Sequence, residues 1–386
     1  MNILVIGNGF DLAHGLPTKY YDFIEFVKLI QEIYDKEEYE RNIIIKKAKQ
    51  KNAIYKEILE ELLDDSIYEN QYFKEFMNHI KENVWIEYFK DKAEIQSTWV
   101  DFEMNIKELI KTFGAIKKGD EKYLNDFKKN EINIRDTMKN FSCEDKEIYS
   151  YTNVKWVNLQ EIIDTDFIKT LEDDLKKVIR ALEIYITLFI ENMDSSVLKG
   201  KIENIDRIIS FNYSNTFEKL YGKDNIKYDY IHGKANIGHN IDTNDIVLGI
   251  DEYLDDKIKN TDLDFIFFKK YFQRIYKRTG CNYKQWLEDI EEYIEESNIY
   301  FYGHSLSRAD KDILRDLILC DNVIVYIFYH NDEAYRNQIT NLVDVIGQDK
   351  LIEKVYGGCP SIIFISTEKQ VKVEIIGCKE TINYIH

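Results

Sequence analysis

The sequence predicts an α/β fold in which a doubly wound, mostly parallel sheet is combined with a large helical insertion. Short runs of β-branched, aromatic and other apolar residues alternate with helical segments near the start of the chain and beyond residue 201. Such runs are typical of strands that are buried on both faces of a parallel sheet. Between residues 20 and 201, apolar residues instead recur at helical spacing among many Lys and Glu residues, which predicts several long helices.

The first predicted strand, Asn2–Ile6, ends in a glycine turn, and the predicted sheet resumes only after residue 201. Residues 1–19 and 202–386 are therefore expected to form a core domain, and residues 20–201 a helical insertion domain. Predicted helices at Leu263–Arg278, Tyr283–Glu296 and Ala309–Leu319 separate several of the later strands. Those strands are Arg207–Phe211, Tyr228–Ile231, Ile246–Ile250, Ile299–Tyr302 and Val323–Phe328, with Ser361–Ile365 and Val371–Ile376 as a candidate antiparallel edge pair.

Composition narrows the classes of function. The 386 residues carry a formal net charge of −18, which disfavours a nucleic-acid partner because the average field repels phosphate. No apolar run approaches the roughly 20 residues that a membrane span needs, and no signal peptide precedes the first strand, so we expect a cytoplasmic protein without membrane contact. The cysteines are scattered without a CxxC pair, which argues against a structural zinc site and against a disulfide framework: Cys143, Cys281, Cys320, Cys359 and Cys378.

The turn after the first strand is a candidate phosphate site. It reads Gly7-Asn8-Gly9-Phe10-Asp11, and glycine at such a turn lets the chain bend sharply and brings a phosphate close to backbone N–H groups. The third glycine of a full dinucleotide fingerprint is missing, because Leu12 stands there. A simple tight turn is therefore the competing interpretation.

Three further polar segments follow predicted strands, at the edge of an open α/β sheet where ligands bind. Asn212 can donate and accept hydrogen bonds; its competing role is to cap the helix that begins near Thr216, although Ser214 and Asn215 are better placed for the cap. His232 is a candidate general base, with a structural histidine as the alternative. The third segment, Gly303-His304-Ser305, has small and polar residues suited to phosphate or ribose.

These segments resemble two families. Gly7 to Pro17 is similar to the sirtuin opening GAGxSxxxGIP. Four later segments resemble later sirtuin motifs in the same order: Phe211-Asn212-Tyr213, Ile231-His232-Gly233, Val247-Leu248-Gly249 and Gly303 to Leu306. A closer resemblance is to the AbiH phage-defence family, carried by IGNGFDLAHGLPTKYYDF, WVDFE, FNYSNTFEKLY, IHGK and FYGHSLSRADKDIL. The AbiH resemblance implies a role in arresting or killing the infected cell so that phage cannot multiply.

The sirtuin resemblance implies a Rossmann core that handles NAD or a related nucleotide. The resemblance implies that Gly7 to Phe10 approach the phosphates and that Gly303 to Ser305 hold the adenosine half. It also implies that Asn212 positions the nicotinamide ribose and a water, and that His232 is the base. The four-cysteine zinc module of sirtuin deacylases cannot be built here, so deacylation is not expected. Sirtuin-like defence proteins tend to hydrolyse NAD, and the resemblance therefore implies hydrolysis of NAD without a metal. Asp11 stands where sirtuins have Ser, and it must turn away from the pyrophosphate, cap the helix or bind a cation. That substitution leaves open whether NAD, NADP or another nucleotide is the ligand.

Two other functions stay open. The fold could sense a nucleotide without hydrolysing it, or Asp11, Asp101 and Glu103 could hold a divalent cation in a nuclease or another hydrolase. An NAD-depleting enzyme would harm a healthy cell, so a closed resting state is expected. A phage component or homo-oligomerisation would open it, with the helical insertion as regulator.

Overall fold

In the computed structural model the described residues are 1–51, 56–90, 99–120, 163–195, 204–252, 254, 259–292, 297–367, 371–372 and 383–384. Six strands form one sheet in the order β3-β2-β1-β4-β5-β6, and every neighbouring pair is parallel. This 3-2-1-4-5-6 order is a common order of doubly wound α/β sheets. The strands are β1 Asn2–Ile6, β2 Arg207–Ser210, β3 Lys227–Tyr230, β4 Ser297–Tyr302, β5 Val323–Tyr329 and β6 Ile362–Ser366.

Fifteen α-helices are described outside the sheet, and short 3-10 turns at Ile266–Phe268 and Arg308–Asp310 precede two of them. Among the described residues, no helix combines the length and the apolarity needed to cross a membrane. The helices are α1 Asn8–Ala13, α2 Tyr20–Ile33, α3 Glu38–Lys51, α4 Lys56–Glu61, α5 Ser66–Glu69, α6 Gln71–Ile80, α7 Val84–Lys90, α8 Trp99–Lys118, α9 Thr165–Leu188, α10 Thr216–Tyr221, α11 Lys270–Lys277, α12 Asn282–Glu292, α13 Lys311–Leu319, α14 Asp332–Ile346 and α15 Gln348–Tyr356.

The predicted strand Ile246–Ile250 is wrong. The segment is buried, but its only sheet-like pairing with the part of the chain that the structure describes is an isolated bridge between Ile250 and Lys269. Side chains replace a neighbouring strand: the Gln273 amide accepts from Leu248 N at 3.0 Å and donates to Leu248 O at 3.0 Å, and Asn244 Oδ1 accepts from Ile246 N at 2.9 Å. Because the backbone groups are satisfied in this way, an apolar run can be buried without joining a sheet.

The predicted antiparallel edge pair at the carboxyl end is also wrong. Residues Ile362–Ser366 form the parallel edge strand β6, which pairs with β5. The short strand β7, Val371–Lys372, pairs instead with β8, Asn383–Tyr384. Residues 373–376 of the second predicted strand lie outside the described residues.

Side chains alternate between the two faces of the sheet, as the pleat requires. On one face, Leu4 and Ile6 pack with Phe10 of α1 and Phe217 of α10. On the other face, the core includes residues of β1, β4 and β5 together with four helices, α12 to α15: Ile3, Val5, Ile299, Val325, Ile290, Leu314, Leu342 and Leu351. Helices therefore cover both faces, and the burial of β1 on both sides explains its continuous apolarity.

The chain divides into two compact units. The first consists of Met1–Leu16, Ser195–Lys234 and Arg278–His386, and it contains the six-stranded sheet. The second consists of Pro17–Asp194 and Ala235–Lys277; its described residues before position 195 form helices and turns without a strand. The domain boundaries drawn from the sequence stay a prediction.

The second unit has a buried ionic network centred on Glu183 of α9. Glu183 and Arg180 are fully buried, and Arg180 Nη1 donates to Glu183 Oε2 at 2.7 Å. The other Glu183 oxygen accepts from Asn236 N at 3.0 Å and lies 2.8 Å from His239 Nδ1. Arg180 also donates to Glu75 of α6, with Nε 2.8 Å from Oε1. These contacts join α6, α9 and the segment after Ala235 within the unit.

Candidate active site

The predicted site residues follow four neighbouring strands of the first unit. Gly7 follows β1, Asn212 lies just beyond β2, His232 just beyond β3, and Gly303 directly follows β4. Since all four strands are parallel, their carboxyl ends lie at one edge of the sheet. The chain runs from β1 outward to β2 and β3, and then returns to β4 on the other side of β1. This reversal next to β1 is a topological switch point, where ligands bind in open α/β sheets.

The glycines after β1 and β4 are explained by close backbone packing. A Cβ atom on Gly9 would lie 2.8 Å from Gly303 Cα, and one on Gly7 would lie 2.8 Å from Gly303 O. Gly303 itself has φ +65°, and a Cβ there would collide with Phe10 N. Gly7 N donates to Tyr302 O at 3.2 Å, and Gly9 N donates to Gly303 O at 2.8 Å. The Gly9 N–H is thus hydrogen-bonded within the protein, and phosphate binding by this turn stays a prediction.

Phe10 and Asn8, which lie beside these glycines, differ in how deeply they are buried. Phe10 is buried and its ring packs against His14 and Phe217, with centroids 4.4 Å and 5.9 Å away. Its backbone N donates to Gly7 O at 2.8 Å. Asn8, the first residue of α1, is only partly buried. Phe10 is therefore a core residue, and within Gly7 to Phe10 only the backbone and Asn8 could meet a ligand.

Asp11 turns into the protein and bonds to the loop after β2. Ser214 Oγ donates to Asp11 Oδ2 at 2.6 Å, and Thr216 Oγ1 lies 3.0 Å from Ser214 Oγ. Asp11 is 2% exposed, and burial raises the pKa of its carboxyl to about 6, against the opposing effects of the nearby Ser214, Thr216 and Asn212 side chains. Its second oxygen, Oδ1, is buried without a hydrogen-bond partner. The sequence predicts one of three arrangements for Asp11. The structure is consistent with the one in which the side chain turns away from the predicted position of the pyrophosphate.

Asn212 is held by its backbone and not by its side chain. Its N–H donates to Ser210 Oγ at 3.2 Å, and that hydroxyl donates back to Asn212 O at 3.1 Å. The side chain is near enough to Asp11 to oppose the rise of the Asp11 pKa, yet neither Oδ1 nor Nδ2 has a hydrogen-bond partner, and the residue is 5% exposed. A buried amide without partners costs free energy, so it requires an explanation.

The competing role of Asn212 as a helix cap is excluded. The residue at the N-cap of α10 is Asn215, and the Asn212 side chain makes no hydrogen bond to the start of that helix. Ser214, the other cap candidate from the sequence, bonds to Asp11 instead. Asn212 is therefore buried for a reason other than ending or starting a helix.

His232 forms a buried pair with Asp310. His232 Nε2 lies 2.9 Å from Asp310 Oδ1, and the two residues are 5% and 8% exposed. The chain just before His232 is fixed, because Thr279 Oγ1 donates to Tyr230 O at 3.0 Å and Gly280 packs against the backbone of Ile231. The imidazole and the carboxylate therefore meet in a region from which water is largely excluded.

His304 is buried and its ring is oriented by the backbone. Leu306 N donates to His304 Nδ1 at 2.9 Å, so Nδ1 is unprotonated and the proton of the neutral ring is on Nε2. The ring of Phe211 lies 4.4 Å from that of His304 and 5.5 Å from that of His232, measured between centroids. Ser305 is exposed, and its carbonyl accepts from Asn341 Nδ2 at 2.8 Å. Phe211 thus brings the residues after β3 and β4 together beside Asn212.

A family model described as "Bacteriophage abortive infection AbiH" matches residues 3–329. The chain belongs to the AbiH family. The match includes all the strand-end residues described above, from Gly7 to Asp310. The family name indicates a function in abortive infection by bacteriophage. No curated protein matches the chain.

Sequence reasoning missed two residues of the candidate site. Asp310 lies inside the segment FYGHSLSRADKDIL that carried the family resemblance, but its pairing with His232 spans 78 residues of sequence. Ser214 was considered only as a cap, and its partner Asp11 is 203 residues away. The signal that could have found Asp310 was a carboxylate in the same strand-end segment as the other site residues.

The metal-binding alternative finds little support in the described residues. Glu103 pairs with Lys270, with 2.8 Å between Oε1 and Nζ and both side chains largely buried. The side chain of Asp101 lies outside the described residues. In the described part of the chain, no group of three or more His, Cys, Asp or Glu residues is arranged to hold a metal ion.

Proposed function

We propose that this AbiH protein hydrolyses NAD at the nicotinamide N-glycosidic bond and so depletes NAD in the cytoplasm of phage-infected cells. The observation that carries the proposal is the Asn212 carboxamide, buried without a hydrogen-bond partner at the carboxyl end of β2. A bound ribose and a bound water would supply the missing partners. The resemblance to the sirtuin motifs, in the same order along the chain, supports NAD as the source of that ribose.

In the proposed reaction, the bond between the ribose C1′ and the nicotinamide nitrogen breaks, and its electron pair stays on nicotinamide. A water molecule oriented by Asn212 attacks C1′ as positive charge develops there. His232 takes the proton of that water, and the products are nicotinamide, ADP-ribose and one proton. The reaction needs no metal. The low exposure of His232 and Asn212 supports a site that excludes bulk water.

We propose further that the resting protein is closed, and that a phage component or self-association opens it. An active NAD hydrolase would harm uninfected cells, so the activity must be restrained. The helices between residues 20 and 201 are our candidate for the regulator. Assembly and NAD turnover, measured with and without phage lysate, test this part of the proposal.

The experiment compares wild type with Asn212→Ala and His232→Ala, with cellular NAD measured through a phage infection and NAD hydrolysis measured on purified protein. Asn225→Ala and His330→Ala are matched controls, because both residues are exposed and lie in the sheet-containing unit. We expect NAD to collapse in wild type and in both controls, and to stay level in the two site variants. Level NAD in wild-type cells that still block phage would refute the proposal.

A second candidate is a nucleotide sensor without hydrolytic activity. The buried carboxylate Asp11, at a position where sirtuins have Ser, favours an altered ligand. NAD, NADP and ADP-ribose binding by calorimetry distinguishes the two functions: tight binding without turnover supports the sensor. Turnover that requires added Mg²⁺ or Mn²⁺ would support the metal-dependent hydrolase instead.

A further inference from the structure

We infer that Asp310 is a positioning residue, which holds His232 with its proton on Nε2 and leaves Nδ1 as the basic atom. The pairing rests on the geometry of the first unit, and its catalytic consequence rests on the proposed NAD hydrolysis. Asp310 touches no substrate atom in this scheme. It acts through His232.

The direction of the Asp310 side chain is the first argument. Asp310 is the residue at the N-cap of α13, where Asp usually accepts hydrogen bonds from the first backbone N–H groups of the helix. It makes no side-chain cap bond there. Its Oδ1 lies instead 2.9 Å from His232 Nε2. A residue well suited to capping is therefore used for the histidine.

Burial is the second argument. His232 and Asp310 are 5% and 8% exposed, so water does little to weaken the hydrogen bond between them. A hydrogen bond in which the acceptor is ionised is shorter and stronger than a neutral one. A buried carboxylate also needs a partner, since burying an unpaired charge is costly. Each residue thus stabilises the buried state of the other.

The third argument is that the segment carrying Asp310 is fixed. Leu306 is fully buried and has φ +58°, a left-handed conformation that is unfavourable for a branched side chain and persists only where the surroundings impose it. Gln338 Nε2 donates to His304 O at 3.3 Å, and Asn341 Nδ2 donates to Ser305 O at 2.8 Å. Both donors lie on α14. The start of the segment that leads to Asp310 is therefore held by α14 at His304 and Ser305.

The pairing with Asp310 determines which nitrogen of His232 is basic, because a neutral imidazole has one N–H donor and one basic nitrogen. With Nε2–H donating to Asp310, the lone pair of Nδ1 takes the proton from water. The imidazolium that results is stabilised by the Asp310 carboxylate, which stays ionised throughout. Neutral His304 beside the same Phe211 ring adds no charge that would oppose this step.

The test measures the His232 tautomer directly, by ring ¹⁵N NMR of histidine-labelled full-length protein, with His232→Gln to assign the signals. Asp310→Asn removes the carboxylate with little change in shape. Asp316→Asn is the matched control: Asp316 lies on the helix after Asp310, and its carboxylate accepts from Tyr283 at 2.9 Å and from Lys284 at 3.1 Å. NAD hydrolysis is measured on the same samples, with and without added phage lysate.

We expect the Nε2–H tautomer in wild type and in Asp316→Asn, and a shift toward Nδ1–H in Asp310→Asn. We expect hydrolysis to fall by roughly 10² to 10⁴-fold in Asp310→Asn, as when an orienting carboxylate is lost elsewhere, and to change little in the control. An Nδ1–H tautomer in wild type overturns the inference even if Asp310→Asn fails to fold. So does hydrolysis unaffected by Asp310→Asn.

The two proposals fail separately. A wild-type protein that shows the Nε2–H tautomer and the shift in Asp310→Asn, but does not hydrolyse NAD even when phage lysate is added, refutes the proposed function and leaves the pairing established. A protein that hydrolyses NAD with the tautomer unchanged in Asp310→Asn refutes the role of Asp310 alone.

Discussion

Ser214 Oγ donates a 2.6 Å hydrogen bond to Asp11 Oδ2, which ties the loop after β2 to the helix after β1. The carboxylate that receives this bond is almost fully buried, and burial raises its pKa to about 6 from an ordinary value of 3.8. Ionised Asp11 is thus tolerated in the folded protein at a cost in stability. That cost depends on pH.

Asp11→Asn should stabilise the fold at neutral pH. The native carboxyl has the higher pKa, so the native state binds more protons than the unfolded state between pH 3.8 and about 6. Stability contributed by Asp11 is present below that window and is lost as pH rises through it, which amounts to at most about 3 kcal/mol at pH 7.5. Asparagine avoids the loss and can still accept from Ser214.

Urea unfolding at pH 4 and pH 7.5 measures this effect. Asp11→Asn should gain stability over wild type at pH 7.5, and the gain should shrink at pH 4. Asp224→Asn, at an exposed position in the same unit, should follow wild type at both values. A gain that is equal at both pH values would show that ionisation of Asp11 does not cause it.

Glycine-to-alanine changes can distinguish two costs of adding a Cβ atom: the cost of an unfavourable backbone conformation and the cost of a steric clash. Gly303 has φ +65° and no room for a Cβ, whereas Gly347 has φ +87° with nothing within 4 Å. Because Gly347 also has ψ 152°, a conformation almost restricted to glycine, Gly347→Ala should cost about 1–3 kcal/mol from backbone conformation alone. Gly303→Ala should cost clearly more, because α1 and the segment after β4 must also separate.

The control is Gly358→Ala. A Cβ atom there meets nothing within 4 Å, so this change should alter stability by less than about 0.5 kcal/mol. Thermal and urea unfolding of the three variants test this order, and equal costs at Gly303 and Gly347 would contradict the close packing.

Most of the sheet could be predicted from the sequence because strands buried on both faces carry an uninterrupted apolar signal. Asn2–Ile6 and Val323–Tyr329 are such strands. Residues 246–250 carry the same signal without forming a strand, since the amide of Gln273 satisfies the backbone of Leu248. No local pattern reveals a side-chain partner 25 residues away.

The positions of Asn212 and His232 could be predicted in the same way, because both follow strands of a parallel sheet. Their surroundings could not. Whether Asn212 caps a helix or stays unpartnered depends on the loop geometry, and the Asp310 partner of His232 depends on how β3 and β4 are placed relative to each other. Sequence patterns locate strand ends, whereas pairings between them require the folded chain.

In the second unit, Glu183→Gln should destabilise the fold by about 3 kcal/mol, because it leaves the fully buried Arg180 with one carboxylate partner fewer. Glu172→Gln is the control on the same helix. Glu172 pairs with Lys176 at 2.8 Å, but both side chains are partly exposed, so its loss should cost less than about 1 kcal/mol. Equal losses in urea unfolding would contradict the importance of burial for the Glu183 network.

Asn212→Leu should separate stability from function at the candidate site. The wild-type carboxamide is 5% exposed and has no hydrogen-bond partner, so the folded state carries the cost of removing two polar atoms from water. Leucine has a similar shape without that cost, and we expect a gain of about 1–2 kcal/mol in the free energy of unfolding. The same change removes the group proposed to hold ribose and water, so NAD hydrolysis should be lost.

The control is Asn225→Leu, at an exposed position. It should change neither the free energy of unfolding nor NAD hydrolysis appreciably. A less stable Asn212→Leu variant would mean that the amide makes stabilising bonds in the free protein, and the site would then be structural.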